Sequence, residues 1–481
     1  MWNPSFDVTP ASLIEGIITE RGLAPRISPH SAFQLPAWVK GADNREMSNI
    51  SAEESTELLP ADTGNFVELT TDMAIEYVIS RPHLSIHVGD ISSRDSWEVR
   101  EVGDGNLNFV FIVQGPSGAV CIKQAPPFVR VIGSDWPLTQ DRSMIEADAL
   151  VEECRYCPGH VPAVLHFDEE EHILVMEYIS PPHITLRNGL IESQIYPKLA
   201  DHLVTLLSRI LFKTSYLSMN ATAFRQMCAK FSNKDMCALT EQVIFSDPYF
   251  NAKNNRHTSP DLDEDVLMIQ NDEDLKAEAT KMKAIFIERQ QALIHGDLHT
   301  GSFMVTEDST YAIDPEFAFV GPIGFDVGKI IANFLLAYLA ADGLTHTDGI
   351  DRTMQKSWLL DTVERVWNGF EESFISLWNE DAAAEEGLYT SHLLSLDGQG
   401  AKAIQRDFFS SLWSDMLGFA GCVLIRRIVG VAHVADMETI KDSEQRANCE
   451  RKALVLGVKL LKERQTAFPD IKSVTNEASS L

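Results

Sequence analysis

The sequence predicts an α+β chain of two lobes, a smaller one built on an antiparallel sheet and a larger one that is mostly helical. Three observations predict it. Segments of strand character gather early, at 96–102, 109–113, 119–123 and 172–179, with glycine turns among them. Ser180-Pro181-Pro182 follows the last of them and reads as the link between lobes. The C-terminal part is helical, with a long, largely apolar run at 408–434.

Length and composition set the bounds. A chain of 481 residues has room for two or three lobes with a sizeable core, and 44% apolar residues is ordinary for a globular protein. The net charge of −30 argues against a nucleic-acid partner, which needs a basic surface. It leaves ATP open, because a few cations inside one cleft reverse the local potential. No apolar run is read as long enough to span a membrane. The start, MWNPSFDVTP, lacks a basic segment followed by an apolar one. The expectation is a cytoplasmic protein with no membrane partner. Cys154-Arg155-Tyr156-Cys157 has no second ligand pair for zinc, so the seven cysteines read as reduced thiols.

Taken in order, residues 1–65 read as an N-terminal extension and linker, partly disordered. Thr9-Pro10 starts a short helix with Leu13, Ile14, Ile17 and Ile18 on one face, and 44–64 is polar and acidic. The sheet lobe is expected over 66–180, opening with a helix at 72–80. Strand 96–102 leads into Gly103-Asp104-Gly105-Asn106, where glycines let backbone N–H groups approach a polyphosphate. After the Gly115–Gly118 turn the strand AVCIK closes on Lys123, a costly place for an unpaired ammonium and a suitable one for a partner of ATP phosphates. The helical segment 139–153 carries Glu146, the candidate to orient Lys123; Glu152 and Glu153 read as solvent-facing. Backbone groups of Met176, Glu177, Tyr178 and Ile179, where the last strand leaves for the linker, would meet an adenine edge. The helical lobe is expected over 181–470, followed by a flexible tail at 471–481.

Within the helical lobe, 293–328 holds two carboxylate stations. Asp297 lies in His295-Gly296-Asp297-Leu298-His299; Asp314 and Glu316 lie in Ile313-Asp314-Pro315-Glu316-Phe317. Between them run a short strand, a tight turn at 306–310 and a second short strand, a hairpin whose ends should face one point. Converging carboxylates repel unless a cation lies between them, and hard oxygen ligands suit Mg²⁺. One carboxylate to meet a hydroxyl and two to hold metal on phosphates is the layout of phosphoryl transfer to an alcohol. Gly324-Phe325-Asp326-Val327-Gly328-Lys329-Ile330 only superficially resembles a P-loop, having the wrong spacing and Ile330 in place of Ser or Thr. Asp326 reads as the cap of the helix 327–339, and also as a brace for the catalytic loop. The acidic stretch 261–278 reads as a solvated helix face.

Glycine loop, strand lysine, helix glutamate, apolar connector, HGD loop and metal carboxylates in that order resemble the protein-kinase-like fold in its small-molecule branch, with the aminoglycoside and choline kinases. Within it, GDGNLNFVF, IKQAPPFVRVIG, WPLTQDR, FSDPYFNAKNNRHTSP, HGDLHTGS, IDPEFAF and GPIGFD are similar to the 5-methylthioribose kinase family. The resemblance covers about 66–460 and not residues 1–65. Ser302 stands where protein kinases carry a metal-binding Asn, the metal station is Asp-Pro-Glu, and Asn108 replaces a third loop glycine; all three are features of that family. The resemblance implies transfer of the ATP γ-phosphate to the 1-hydroxyl of 5-methylthioribose, a step in methionine salvage. Asp297 would be the base or hydroxyl-orienting residue, Asp314 and Glu316 the Mg²⁺ ligands with Ser302 beside them, and Lys123 the phosphate partner under 103–106. Arg426 and Arg427 would recognise the sugar, with Asp297 and Asn106. A homodimer is implied by the resemblance alone. Two other readings are a related kinase with another alcohol acceptor and a non-catalytic nucleotide-binding module.

Overall fold

The computed structural model describes residues 16–19, 22–25, 66–103, 107–130, 133–383, 387–388, 393–395 and 398–481. Residues 1–59 and 60–481 separate as two compact units. In the first, Gly16–Thr19 pairs antiparallel with Gly22–Pro25. Ile17 and Ile18, expected on a helix face, thus lie in a strand, the conformation that β-branched side chains favour. Asp104, Gly105 and Asn106 lie outside the described residues.

The second unit contains a five-stranded sheet: β1 (Glu98–Glu101), β2 (Phe109–Gly115), β3 (Gly118–Gln124), β4 (Val164–Asp168) and β5 (Ile173–Glu177). The order is β1-β2-β3-β5-β4 and every neighbouring pair is antiparallel. Strand residues alternate between faces. Phe111, Val113, Val120, Ile122 and Val175 pack on Ala74, Tyr77 and Val78 of the helix Thr71–Ile79. Cys121, Leu174 and Met176 take the other face, against Ala147 and Leu150 of helix α1 (Arg142–Tyr156). Lys123, opposite Leu174 in the register, therefore points at α1. The edge strand β4 had no counterpart in the sequence reading; its five residues are all half-buried and leave no apolar–polar contrast to read.

The remainder is mostly helical, with small strands where the carboxylate stations lie. Helix α2 is Leu199–Lys213. Strand β6 (Ala292–Ile294) pairs with β9 (Phe319–Gly321), and β7 (Phe303–Val305) pairs with β8 (Thr310–Ala312). Long helices α3 (Ile323–Asp348), α4 (Thr353–Ala383), α5 (Gln399–Ile428) and α6 (Ser443–Glu463) build the main core. Two sequence expectations change here. Helices α3 and α5 are long and apolar enough to span a membrane, but their most apolar stretches are 100% and 72% buried inside the protein, which makes them core helices. Residues 471–481 are no flexible tail: Ile471–Ser480 is a helix capped by Asp470, with Ile471, Val474 and Ala478 buried.

The acidic stretch is also less bare than expected. Asp265, Asp272 and Glu278 pair with Arg451, Lys462 and Arg464 at 3.0, 2.8 and 2.6 Å. The glycines of the P-loop look-alike serve packing. A Cβ on Gly328 would stand 2.5 Å from the Met416 carbonyl oxygen, and one on Gly324 2.9 Å from the Asp415 Cβ. Their absence lets α3 and α5 cross in close contact.

Candidate active site

Strand β6 runs into a turn at Gly296, whose φ of +78° and close approach to the Phe317 carbonyl admit no side chain. Asp297 follows. Its Oδ1 lies 2.5 Å from Lys329 Nζ and its Oδ2 3.4 Å from His299 Nε2. Burial opposes ionisation of Asp297, but Lys329 and then His299 outweigh it and hold the carboxyl well below its ordinary value. Burial also lowers Lys329 to about 8 and His299 to about 3, so His299 is neutral. Its Nδ1 accepts from the Gly301 N–H at 3.0 Å, which leaves the proton on Nε2, facing Asp297. Lys329 Nζ also donates to the Gly296 carbonyl at 2.9 Å.

The loop backbone is held from below. Asp326 accepts from the His295 N–H at 2.7 Å and the Gly296 N–H at 3.0 Å. It does not cap α3, whose N-cap is Pro322, because its carboxylate is taken up by the loop. Of its two expected roles, the brace is the one the structure displays. His295 Nε2 reaches the Ile313 carbonyl at 2.9 Å, tying the first station to the second.

At the second station Asp314 sits at φ +70°, a left-handed conformation that Asp tolerates better than most residues. Lys123 makes ion pairs with Asp314 and, at 2.7 Å, with Glu146. Burial pushes the Glu146 carboxyl up and Lys123 pulls it the other way; Lys123 itself, flanked by these carboxylates, is held in its charged form. Glu316 is buried beside Arg142 Nε at 3.2 Å and accepts from Asn108 Nδ2 at 2.8 Å. Carboxylate oxygens of Glu146, Asp314 and Glu316 all lie within 4.8 Å of one another. Hard oxygens so grouped fit a divalent cation such as Mg²⁺. Asp297 is not a member of this group and is paired with Lys329 instead. Ser302 stands outside it too: its Oγ donates to the Asp297 carbonyl at 2.8 Å.

The other expected residues are placed as follows. Gly103 lies in a turn after β1, with open space around it. Met176 and Glu177 end β5, and the Glu177 N–H is already taken by the Ala163 carbonyl at 2.8 Å. Tyr178 and Ile179 lie beyond the ladder. Glu153, expected in solvent, is 2% exposed, because α1 turns that side towards α2 and the catalytic loop rather than outward.

Arg426 and Arg427 end α5, both buried. Arg426 Nε and Nη1 and Arg427 Nε have no hydrogen-bond partner among the described residues. Burial lowers both guanidinium pKa values; mutual repulsion and Arg187 add to this for Arg427, while Asp297 favours charge on each. Sequence reasoning missed Arg187, which touches Asp436 Oδ2 at 3.4 Å and Thr300 Oγ1 at 3.3 Å, as well as Lys329, His299 and Arg142. For Lys329 the sequence carries a signal, a lysine inside an otherwise apolar helix, which its place in the P-loop look-alike obscures.

Residues 98–353 match the model of the phosphotransferase enzyme family. Methylthioribose kinase 1 of Oryza sativa subsp. japonica is 47% identical over 399 residues, spanning 81% of this chain and 90% of the relative. Methylthioribose kinase of Escherichia coli O45:K1 is 38% identical over 413 residues, spanning 85% and 97%. Among solved structures, a glucosamine kinase is 10% identical over 83% of each chain, with a TM-score of 0.43, too distant to inform the site.

Proposed function

Because this chain belongs to the methylthioribose kinase family, we infer that it uses ATP to phosphorylate methylthioribose, with the 1-hydroxyl as acceptor, in methionine salvage. The observation that carries the reading is a half-buried Asp297, held ionised by Lys329, with the buried Arg426 and Arg427 near it and Arg426 Nε and Nη1 and Arg427 Nε without a hydrogen-bond partner among the described residues. A neutral, hydroxyl-rich acceptor suits such a pocket: its oxygens accept from the guanidinium N–H groups, and the reacting hydroxyl donates to Asp297.

In the step itself, the acceptor oxygen bonds to the γ-phosphorus as the bond to the β-bridging oxygen breaks. ADP leaves, and the hydroxyl proton passes to Asp297. Lys329 keeps Asp297 ionised before transfer. Lys123, positioned by Glu146, would hold ATP phosphates, and residues 103–106 would cover them. Asp314 and Glu316 would hold Mg²⁺, which supplies charge neutralisation on the phosphates. Ser302 would join them only by giving up its bond to the loop. The backbone beyond Glu177, at Tyr178 and Ile179, is free of the ladder for the adenine. We place the enzyme in the cytoplasm as a homodimer, which light scattering of the purified chain checks.

The test is Mg²⁺-dependent ADP release with methylthioribose, choline, homoserine and kanamycin in parallel. Turnover with methylthioribose alone, cut by about 10³-fold or more in Asp297→Ala, is the expected result. Preference for a cationic acceptor would overturn the assignment of the arginine pair.

A further inference from the structure

Under the catalytic loop lies a cavity of about 10 Å³, room for one water. Its wall is apolar, with Leu207, Leu211 and Leu298 among the lining residues, except for three polar groups: His295, Asp326 and Glu153. Glu153 comes from α1, on the sheet side of the molecule, and its Oε2 is buried with no hydrogen-bond partner among the described residues. Nothing in the phosphoryl-transfer chemistry uses it.

Two carboxylic acids thus line one small, mostly apolar cavity, and no ion pair reaches either among the described residues. Both cannot ionise there cheaply. Asp326 accepts two backbone N–H bonds, which favour its anion. Glu153 has no comparable donor. The proton belongs on Glu153. We propose that Glu153 stays protonated in the folded enzyme and, as the neutral acid facing Asp326, is a positioning residue for the loop that carries Asp297. Directly or through one water in the cavity, its O–H donates towards Asp326, and Asp326 holds the His295 and Gly296 N–H groups.

The surrounding charges agree. Burial, and then Asp326, push Glu153 up to about 8. From α3, Lys329 is felt by Asp326 but is tied to Asp297 and the Gly296 carbonyl. From the loop, His295 spends its Nε2 proton on Ile313. Cys157, just beyond α1, is held neutral by its own burial, and Arg209 of α2 acts on that thiol. Above about pH 8 Glu153 would ionise beside Asp326, loosen the brace and misplace Asp297. The folded acid is weaker than its ordinary value of 4.5, so its contribution to stability is full below that value and is lost as pH rises through about 8.

The experiment measures kcat and Tm from pH 6 to 9.5 for the full-length enzyme, Glu153→Gln and Glu153→Leu. The glutamine is a permanently neutral isostere. It should keep kcat at pH 7 within about twofold, move the alkaline limb of kcat up by roughly half a pH unit or more, and flatten the fall of Tm between pH 6 and about 8. The leucine should lower kcat roughly tenfold with the KM for ATP unchanged. Lys329 contributes an alkaline limb to all three proteins, so the difference between parent and Glu153→Gln is the readout. Superimposable kcat and Tm profiles of parent and Glu153→Gln would overturn the proposal. So would an equal loss of kcat at pH 7 in both variants. The loop's catalytic role rests on the function proposed above; were the parent inactive on methylthioribose, that function would fail while the Tm profiles still judged the protonation of Glu153.

Discussion

Adjacent positions on a helix project about 100° apart, and Arg426 and Arg427 nevertheless both end in the same buried, cationic region as Asp297. Guanidinium nitrogens without partners in a buried site gain most from a ligand that supplies acceptors. Arg426→Met is therefore expected to raise the KM for methylthioribose by about 10–100-fold while leaving the KM for ATP within about twofold, read from initial rates. Arg427, whose Nη1 makes only long contacts of 3.4 Å to the Ala432 and His433 carbonyls, should behave alike. Lys329→Met removes the charge that keeps Asp297 ionised. A fall in kcat of about 10²-fold, partly restored by Lys329→Arg, is expected; unaltered kcat would show that Asp297 ionises without help. Asp297 was legible in the sequence because a Gly-Asp turn between an apolar strand and a hairpin is a local pattern. Lys329 was not, since its partner lies 32 residues earlier in the chain and only the fold joins them.

Elements were legible where their periodicity was long. The strands around Lys123 and the hairpin between the carboxylate stations lie where alternation and turn residues put them, with Phe303 opposite Ala312 and Gly115 opposite Gly118. The terminal helix Ile471–Ser480 was not legible, because its serines and polar residues look like a tail and its three buried apolar contacts are made with distant helices. Deleting 471–481 exposes the surface that Ile471, Val474 and Ala478 cover, each large side chain being worth about 1.5–3 kcal/mol when fully buried. A drop in Tm of several degrees by circular dichroism is expected, whereas a true tail would leave Tm unmoved. The apolar helices α3 and α5 illustrate the opposite error: periodicity said little because both are apolar nearly all round, as buried helices are.

At the scale of the molecule, the sheet lobe and the helical lobe meet through charge. Lys123 and Glu146 come from the sheet side, Asp314 and Glu316 from the other, and Asn108 and Arg142 bind Glu316 across the same gap. A nucleotide with Mg²⁺ placed there would bridge both lobes. At 100 times its Kd, Mg²⁺–ADP should stabilise the protein by about 2.7 kcal/mol, and a thermal shift seen in the parent should vanish in Asp314→Ala. Helices α3 and α5 set the other dimension of the site. Lys329 follows Gly328, and Arg426 lies on α5 beyond Ala420, whose backbone N is 3.1 Å from where a Gly328 Cβ would stand. One bare methyl group at that crossing would wedge the two helices, and with them Lys329 and the arginine pair. If the arginine pair holds the acceptor as proposed, its range would be adjustable from a position that touches no substrate: bulk at residue 328 would widen the jaws, while every side chain that lines them keeps its identity.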